Sequence, residues 1–114
     1  MYAKITKEEA SHYFWGNQCE SRVLLGKEEL SVKLESMPAA TREENHYHIK
    51  AQQFFFMLKG EAVFHFETAS VTVSEKEGIS IDPRTHHYIA NESTEEIEFP
   101  VISQPETQND RYKI

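Results

Sequence analysis

The chain has 114 residues, 39% apolar and 11% aromatic, and carries a formal charge of −7 from 19 acidic and 12 basic side chains. That length fits one domain around one core. An acidic chain without a Lys/Arg cluster argues against nucleic acid and anionic membranes as partners. The longest unbroken apolar run, Phe54 to Leu58, is far too short to cross a bilayer. One cysteine, Cys19, leaves no intramolecular disulfide, and the charged N-terminus has no apolar leader region. A soluble, cytoplasmic protein is expected.

Residues 1–5 alternate weakly and suggest a short edge strand. Thr6-Lys7-Glu8-Glu9 has the spacing of a capping box, which predicts a short N-terminal helical segment over Ala10 to Phe14. Strand patterns begin near Ser21. Between Glu29 and Met37, Leu30, Val32 and Leu34 alternate with Ser31, Lys33 and Glu35, the period of two of a half-buried strand. Further short strands follow at Phe54–Leu58, Ala62–Phe66, Val71–Val73, Ile79–Ile81, His87–Asn91 and Glu96–Ile102. About eight evenly spaced strands predict an antiparallel sandwich or barrel. The acidic runs Glu43-Glu44 and Glu92 to Glu98 read as solvated loops without function. The segment 103–114 reads as a polar tail on one domain spanning 1–114.

Chemistry concentrates in two stretches. In Met37 to Gly60, His46 and His48 are spaced i, i+2, so on a strand both imidazoles project from one face. Gln52 and Gln53 follow, then the Phe54–Leu58 run. Within that run Gln53, Phe55 and Met57 share one face and Phe54, Phe56 and Leu58 the other, so the strand should be buried on both sides. Two imidazoles beside an amide oxygen and aromatics are the parts of a metal pocket. The second stretch, Gly78 to Asn91, carries His86 and His87; adjacent strand residues face opposite ways, so at most one can join the first pair. His65 groups with Glu61 and Glu67 on the wetter face of its strand and reads as structural.

Together the two stretches resemble the paired motifs of the cupin superfamily, as a small single-domain member. The first motif is matched by His46-x-His48 and Gly60, with Gln53 where a Glu is expected. The second is matched by the interval from His87 to Asn91, whereas Asp82, Arg84 and Gly78 depart from its Pro and Gly positions. The resemblance covers roughly residues 30–102. It implies a small all-β antiparallel barrel, a jelly roll or double-stranded β-helix, in which His46, His48 and His87 converge on a divalent metal, with Gln53 as fourth ligand or as a hydrogen-bonding neighbour. Neutral imidazoles suit Zn, Ni or Fe, and a Gln in place of a carboxylate makes Mn less favoured. Tyr47, Phe55, Met57, Phe64, Arg84 and Asn91 are the substrate-binding candidates. A homodimer is expected from the doubly apolar Phe strand.

The leading functional expectation is a metal-dependent enzyme, of dioxygenase or isomerase type, acting on a small organic acid, ketone or sugar derivative. A non-catalytic module that binds or senses a small molecule is the alternative, because a fold of this kind hosts many functions.

Overall fold

The structure, a computed structural model, describes residues 1–114 and is built of strands, turns and loops with no helix. In chain order the strands are β1 (Ser11–Trp15), β2 (Cys19–Lys27), β3 (Leu30–Met37), β4 (Thr41–Arg42), β5 (His46–Tyr47), β6 (Gln52–Phe56), β7 (Ala62–Phe66), β8 (Ser70–Val73), β9 (Gly78–Ile81), β10 (His87–Asn91), β11 (Ile97–Gln104) and β12 (Tyr112–Lys113). One sheet has the order β1-β2-β3-β11-β6-β9 and the other β12-β5-β10-β7-β8, with β4 also paired to β10. Every pairing is antiparallel, and the chain repeatedly crosses between the sheets, which is the jelly-roll arrangement.

The inward positions change character along each strand of the first sheet. On β11, Ile97 and Phe99 are fully buried, followed by Val101 and Ser103. The paired inward positions on β3 are Met37, Glu35, Lys33 and Ser31. One end of the space between the sheets is therefore a dry core of Met37, Phe55, Met57, Phe64, Ile89, Ile97 and Phe99. Phe55 meets Phe64 edge-on with ring centroids 5.0 Å apart. Burial of each such side chain contributes about 1.5–3 kcal/mol. The other end, lined from Glu35, Lys33 and Ser103, is a polar cavity.

This inverts the usual face assignment of β3. Its period-two alternation does mark a strand, but Leu30, Val32 and Leu34 point away from the interior while Ser31, Lys33 and Glu35 point into it. The apolar set forms part of the sheet's outer face, next to Leu25, Pro100, Ile102 and Phe54 on neighbouring strands. Gly60 closes the turn before β7 at φ +79°, and a Cβ there would lie 2.7 Å from Ile97 Cγ2, so this motif glycine is required by backbone and space alike.

Both chain ends differ from expectation. Residues 1–5 form no strand. Thr6 does cap: its Oγ1 accepts the Glu9 amide at 3.2 Å, and the Ala10 amide reaches the Thr6 carbonyl. One turn results instead of a helix, because Ser11 to Trp15 pair with β2 and turn Tyr13 and Trp15 toward the interior. At the other end, Ser103 and Gln104 complete β11, β12 pairs with β5, and Asp110 is only 7% exposed. The 103–114 segment is a strap packed onto the fold.

Candidate metal centre and cavity

Backbone geometry brings the three histidines together. His46 and His87 are directly opposed partners on β5 and β10, so their side chains stand on the same face at neighbouring positions. His48, two residues beyond His46, continues that face. The ring centroids lie 4.5 Å apart for His46–His87 and 4.9 Å for His46–His48. One ring nitrogen of each lies within 4.8 Å of those of the other two, and all three residues are buried.

Each ring is oriented by a backbone carbonyl. His46 Nδ1 bonds the Glu44 carbonyl at 2.8 Å, His87 Nδ1 the Thr85 carbonyl at 2.8 Å, and His48 Nδ1 the Asp110 carbonyl at 2.6 Å. A carbonyl only accepts, so each Nδ1 carries the hydrogen and each Nε2 holds a free lone pair. The Nε2 atoms of His48 and His87 are buried without any partner. Burial, aided by the Arg111 charge, lowers the pKa of His46 to about 3, and burial lowers that of His87 to about 4; His48 shifts the same way for the same first cause. The cluster is neutral at pH 7 and presents lone pairs rather than protons.

Gln53 completes the set. Its Nε2 donates to Ser103 Oγ at 3.0 Å, which fixes the amide's direction and leaves Oε1 buried, unpartnered and beside His48. Orphaned imidazole nitrogens and an orphaned amide oxygen, all buried in one place, are costly to a fold unless something binds them. This donor set fits a transition-metal ion better than it fits an empty core.

The group that orients His48 comes from far along the chain. The Asp110 carboxylate accepts three successive amides, from Ile49 at 2.9 Å, Lys50 at 3.1 Å and Ala51 at 3.0 Å, while its carbonyl holds His48. Burial acts to raise the Asp110 pKa, but the three amides outweigh it and hold the carboxyl below its ordinary value. The strap thereby shapes the loop just after His48 and orients its ring.

A cavity of about 400 Å³ opens beside His46, His48 and Gln53. Phe55 and Val101 supply apolar wall, and the Trp15 indole Nε1 is a further buried atom without a partner. Six charged residues not singled out as site residues from the sequence also line it: Lys33, Glu35, Arg42, Glu43, Glu44 and Arg111. Glu43, read as part of a solvated acidic run, has a side chain only 11% exposed. Its Oε1 accepts the Ile89 amide at 3.0 Å, and Arg111 Nη2 lies 3.5 Å from Oε2. Burial pushes the Glu43 pKa up to about 7 against the opposing pull of Arg111 and the Ile89 amide.

The other sequence candidates are dispersed. Met57 and Phe64 are fully buried in the dry core. Asn91 Nδ2 donates to the carbonyls of Met37, Pro38 and Glu95, which locks the β3–β4 and β10–β11 connections. Tyr47 stacks between His86 and Tyr112, and so lies on the opposite side of β5 from His46 and His48. Arg84 is exposed at φ 68°, and its amide donates to the His48 carbonyl. Of the substrate candidates only Phe55 reaches the cavity. His65 pairs with Glu92 on the outer face, as its strand parity indicated.

Two antiparallel sheets closed over inward-facing imidazoles and a polar cavity define a jelly-roll protein. The chain belongs to the cupin family: the cupin-domain profile matches residues 33–103. Among solved structures it resembles a predicted oxalate decarboxylase from Thermotoga maritima, at 19% identity over 91% of this chain and 100% of that one, TM-score 0.82. It also resembles a cupin-superfamily sugar phosphate isomerase from Silicibacter pomeroyi, at 16% identity over 90% of this chain and 75% of that one, TM-score 0.78. The polyketide cyclase RemF from Streptomyces resistomycificus is similar at 13% identity, covering 100% of this chain and 86% of its own, TM-score 0.83. At these identities the likeness is one of fold. No curated protein matches the sequence at a significant level.

The strap's role is measurable. Asp110→Ala removes the acceptor of three amides and loosens the carbonyl that holds His48. It should lower stability by about 1–3 kcal/mol in urea unfolding and weaken Zn or Ni binding about 10–100-fold in a competition titration.

Proposed function

We propose that the chain is a metal-dependent enzyme, of isomerase or dioxygenase type, acting on a small organic acid, ketone or sugar derivative. The observation that carries this reading is the set of three buried, neutral imidazoles whose free nitrogens converge beside a cavity of substrate size. His46, His48 and His87 would hold the ion and the Gln53 oxygen would be its fourth donor or a hydrogen-bond acceptor for the substrate. Zn, Ni or Fe suits these ligands, and Mn, which favours carboxylates, suits them less. When bound, such an ion supplies Lewis acidity or, as iron, a site for O2. The chain's own residues do the rest: Phe55 and Val101 exclude water, Trp15 Nε1 offers a donor to a substrate oxygen, and Arg111 provides positive charge for an anionic group. The enzymes among the similar folds, including an isomerase and a cyclase, are in keeping with this class of chemistry. A reducing cytoplasm suits the single buried, unpaired Cys19.

The neutral donor set leaves the ion's charge uncompensated. Gln53→Glu should therefore tighten Zn and Ni binding on the order of tenfold or more, since a full charge replaces a dipole beside a dication. Calorimetric titration of apoprotein checks this; equal affinities for wild type and variant would place the Gln53 oxygen outside the ion's shell. His87→Ala should abolish binding, and a variant that still binds as wild type does would defeat the proposal.

The same reading includes a homodimer. The outer face of the first sheet carries Leu25, Phe54 and Ile102, 37%, 41% and 38% exposed, joined through Val32, Leu34 and Pro100 into one apolar surface across four strands. A second copy meeting it face to face buries that surface. Light scattering at micromolar concentration should give twice the 13.3 kDa chain mass, and Ile102→Glu should return it to the single-chain value. A wild-type mass of one chain would exclude this assembly.

A further inference from the structure

Glu35 and Glu43 are two half-buried acids of the cavity that are neither candidate ligands of the histidine centre nor clamps in the manner of Asp110. They approach it from opposite sheets. Glu35 projects inward from β3, where it pairs with Phe99 of β11. Glu43 follows β4 and is tied to β10 twice: its amide donates to the Ile89 carbonyl at 3.1 Å and its Oε1 accepts the Ile89 amide. This double tie sits two residues from His87, so the carboxyl is fixed relative to the strand that carries a candidate ligand. Its second oxygen has no backbone partner and faces the cavity, where Arg111 lies at 3.5 Å, with side chain 45% exposed.

We propose that Glu43 is the acid–base residue of this site, and that the reaction is a proton transfer between adjacent carbons of an α-hydroxycarbonyl substrate. The inference rests on the metal-enzyme reading above and narrows it to isomerase chemistry. The Glu43 carboxylate takes the C–H proton from the carbon bearing the hydroxyl; that electron pair forms a C=C, and the carbonyl π pair moves onto its oxygen to give an enediolate. The hydroxyl proton shifts to the former carbonyl oxygen. The carboxylic acid then returns its proton to the neighbouring carbon, and the C=O forms at the first. Atoms and electrons balance with no external oxidant or reductant.

Charge around Glu43 is suited to a group that must exist in both forms. Arg111 from the strap favours the carboxylate; burial and the facing Glu35 favour the acid, and Lys33 and Arg42 line the same cavity. The net result is a carboxyl near neutrality, where base and acid are both populated at working pH. Burial shifts the Glu35 carboxyl upward as well.

Glu43→Gln keeps an oxygen for the Ile89 amide and removes the proton carrier, so it separates chemistry from folding. Zn- and Ni-loaded wild type and variant are incubated in deuterated water with hydroxyacetone, dihydroxyacetone or glyceraldehyde, and exchange of the α-protons is followed by NMR. Wild type should exchange protons of at least one probe, and Glu43→Gln should lose at least about a hundredfold in rate at unchanged metal content. In parallel, the Glu43 side-chain carboxyl of apoprotein is titrated by carbon NMR, with Glu43→Gln assigning the signal; its midpoint should fall near 7. Equal exchange by wild type and variant overturns the assignment. Metal-loaded wild type that exchanges none of the probes overturns the proton-transfer inference and leaves the metal reading standing. Failure to bind metal defeats the underlying reading instead, and a Glu43 midpoint in the ordinary carboxylate range overturns this inference by itself.

Discussion

Everything at the candidate centre depends on three hydrogen bonds from imidazole Nδ1 to backbone carbonyls. Each sets a tautomer, aims an Nε2 lone pair inward and does so without adding charge. Two of the carbonyls, from Glu44 and Thr85, lie two residues before the histidine they hold, so the loops leading into β5 and β10 supply the orienting groups. The third, from Asp110, is sixty-two residues away along the chain from His48. The strap that supplies it is therefore part of the site, and its carboxylate clamp on residues 49–51 keeps the carbonyl in place.

A neutral donor set inside a closed jelly roll has electrostatic consequences. Three imidazoles and an amide would hold an ion without cancelling its charge, so a substrate entering the cavity would feel nearly the full dication. Glu35 on β3 and Glu43 after β4 line the same cavity, where they answer Arg111 and one another. On the proposed reading, ligation and proton handling would fall to separate groups, in contrast to a site in which one glutamate at position 53 serves both.

The fold was legible because period-two patterns are strong where aromatic and branched residues alternate, as in β7, β10 and β11. His46 and His48 were legible from the same period of two: residues i and i+2 of a strand share a face, so both imidazoles project together. Parity alone left His86 and His87 as alternatives; the motif interval to Asn91 selected His87, and the structure directs that residue inward. Other parts of the site were hidden by the same rule that exposed the strands. On β3 the alternation is clear, yet the inward face is Ser31, Lys33 and Glu35, because the interior there is a polar cavity and the outer face of the sheet is apolar. Glu43 lies in an acidic pair that resembles a solvated loop, and only its partner Ile89, forty-six residues on, distinguishes it. Asp110 and Arg111 sit in a polar segment with two-residue pairing to β5, too short to register as a strand. Long-range contacts of this kind leave no local period.

The central claim is that His46, His48 and His87 form one metal centre through their Nε2 atoms. X-ray absorption of the protein loaded with one equivalent of Zn or Ni counts the imidazoles around the ion directly. Three imidazole nitrogens are expected at about 2.0–2.1 Å for Zn, falling to two in His48→Ala if the variant retains the ion. A spectrum with one imidazole or none, or one unchanged by His48→Ala, would contradict it.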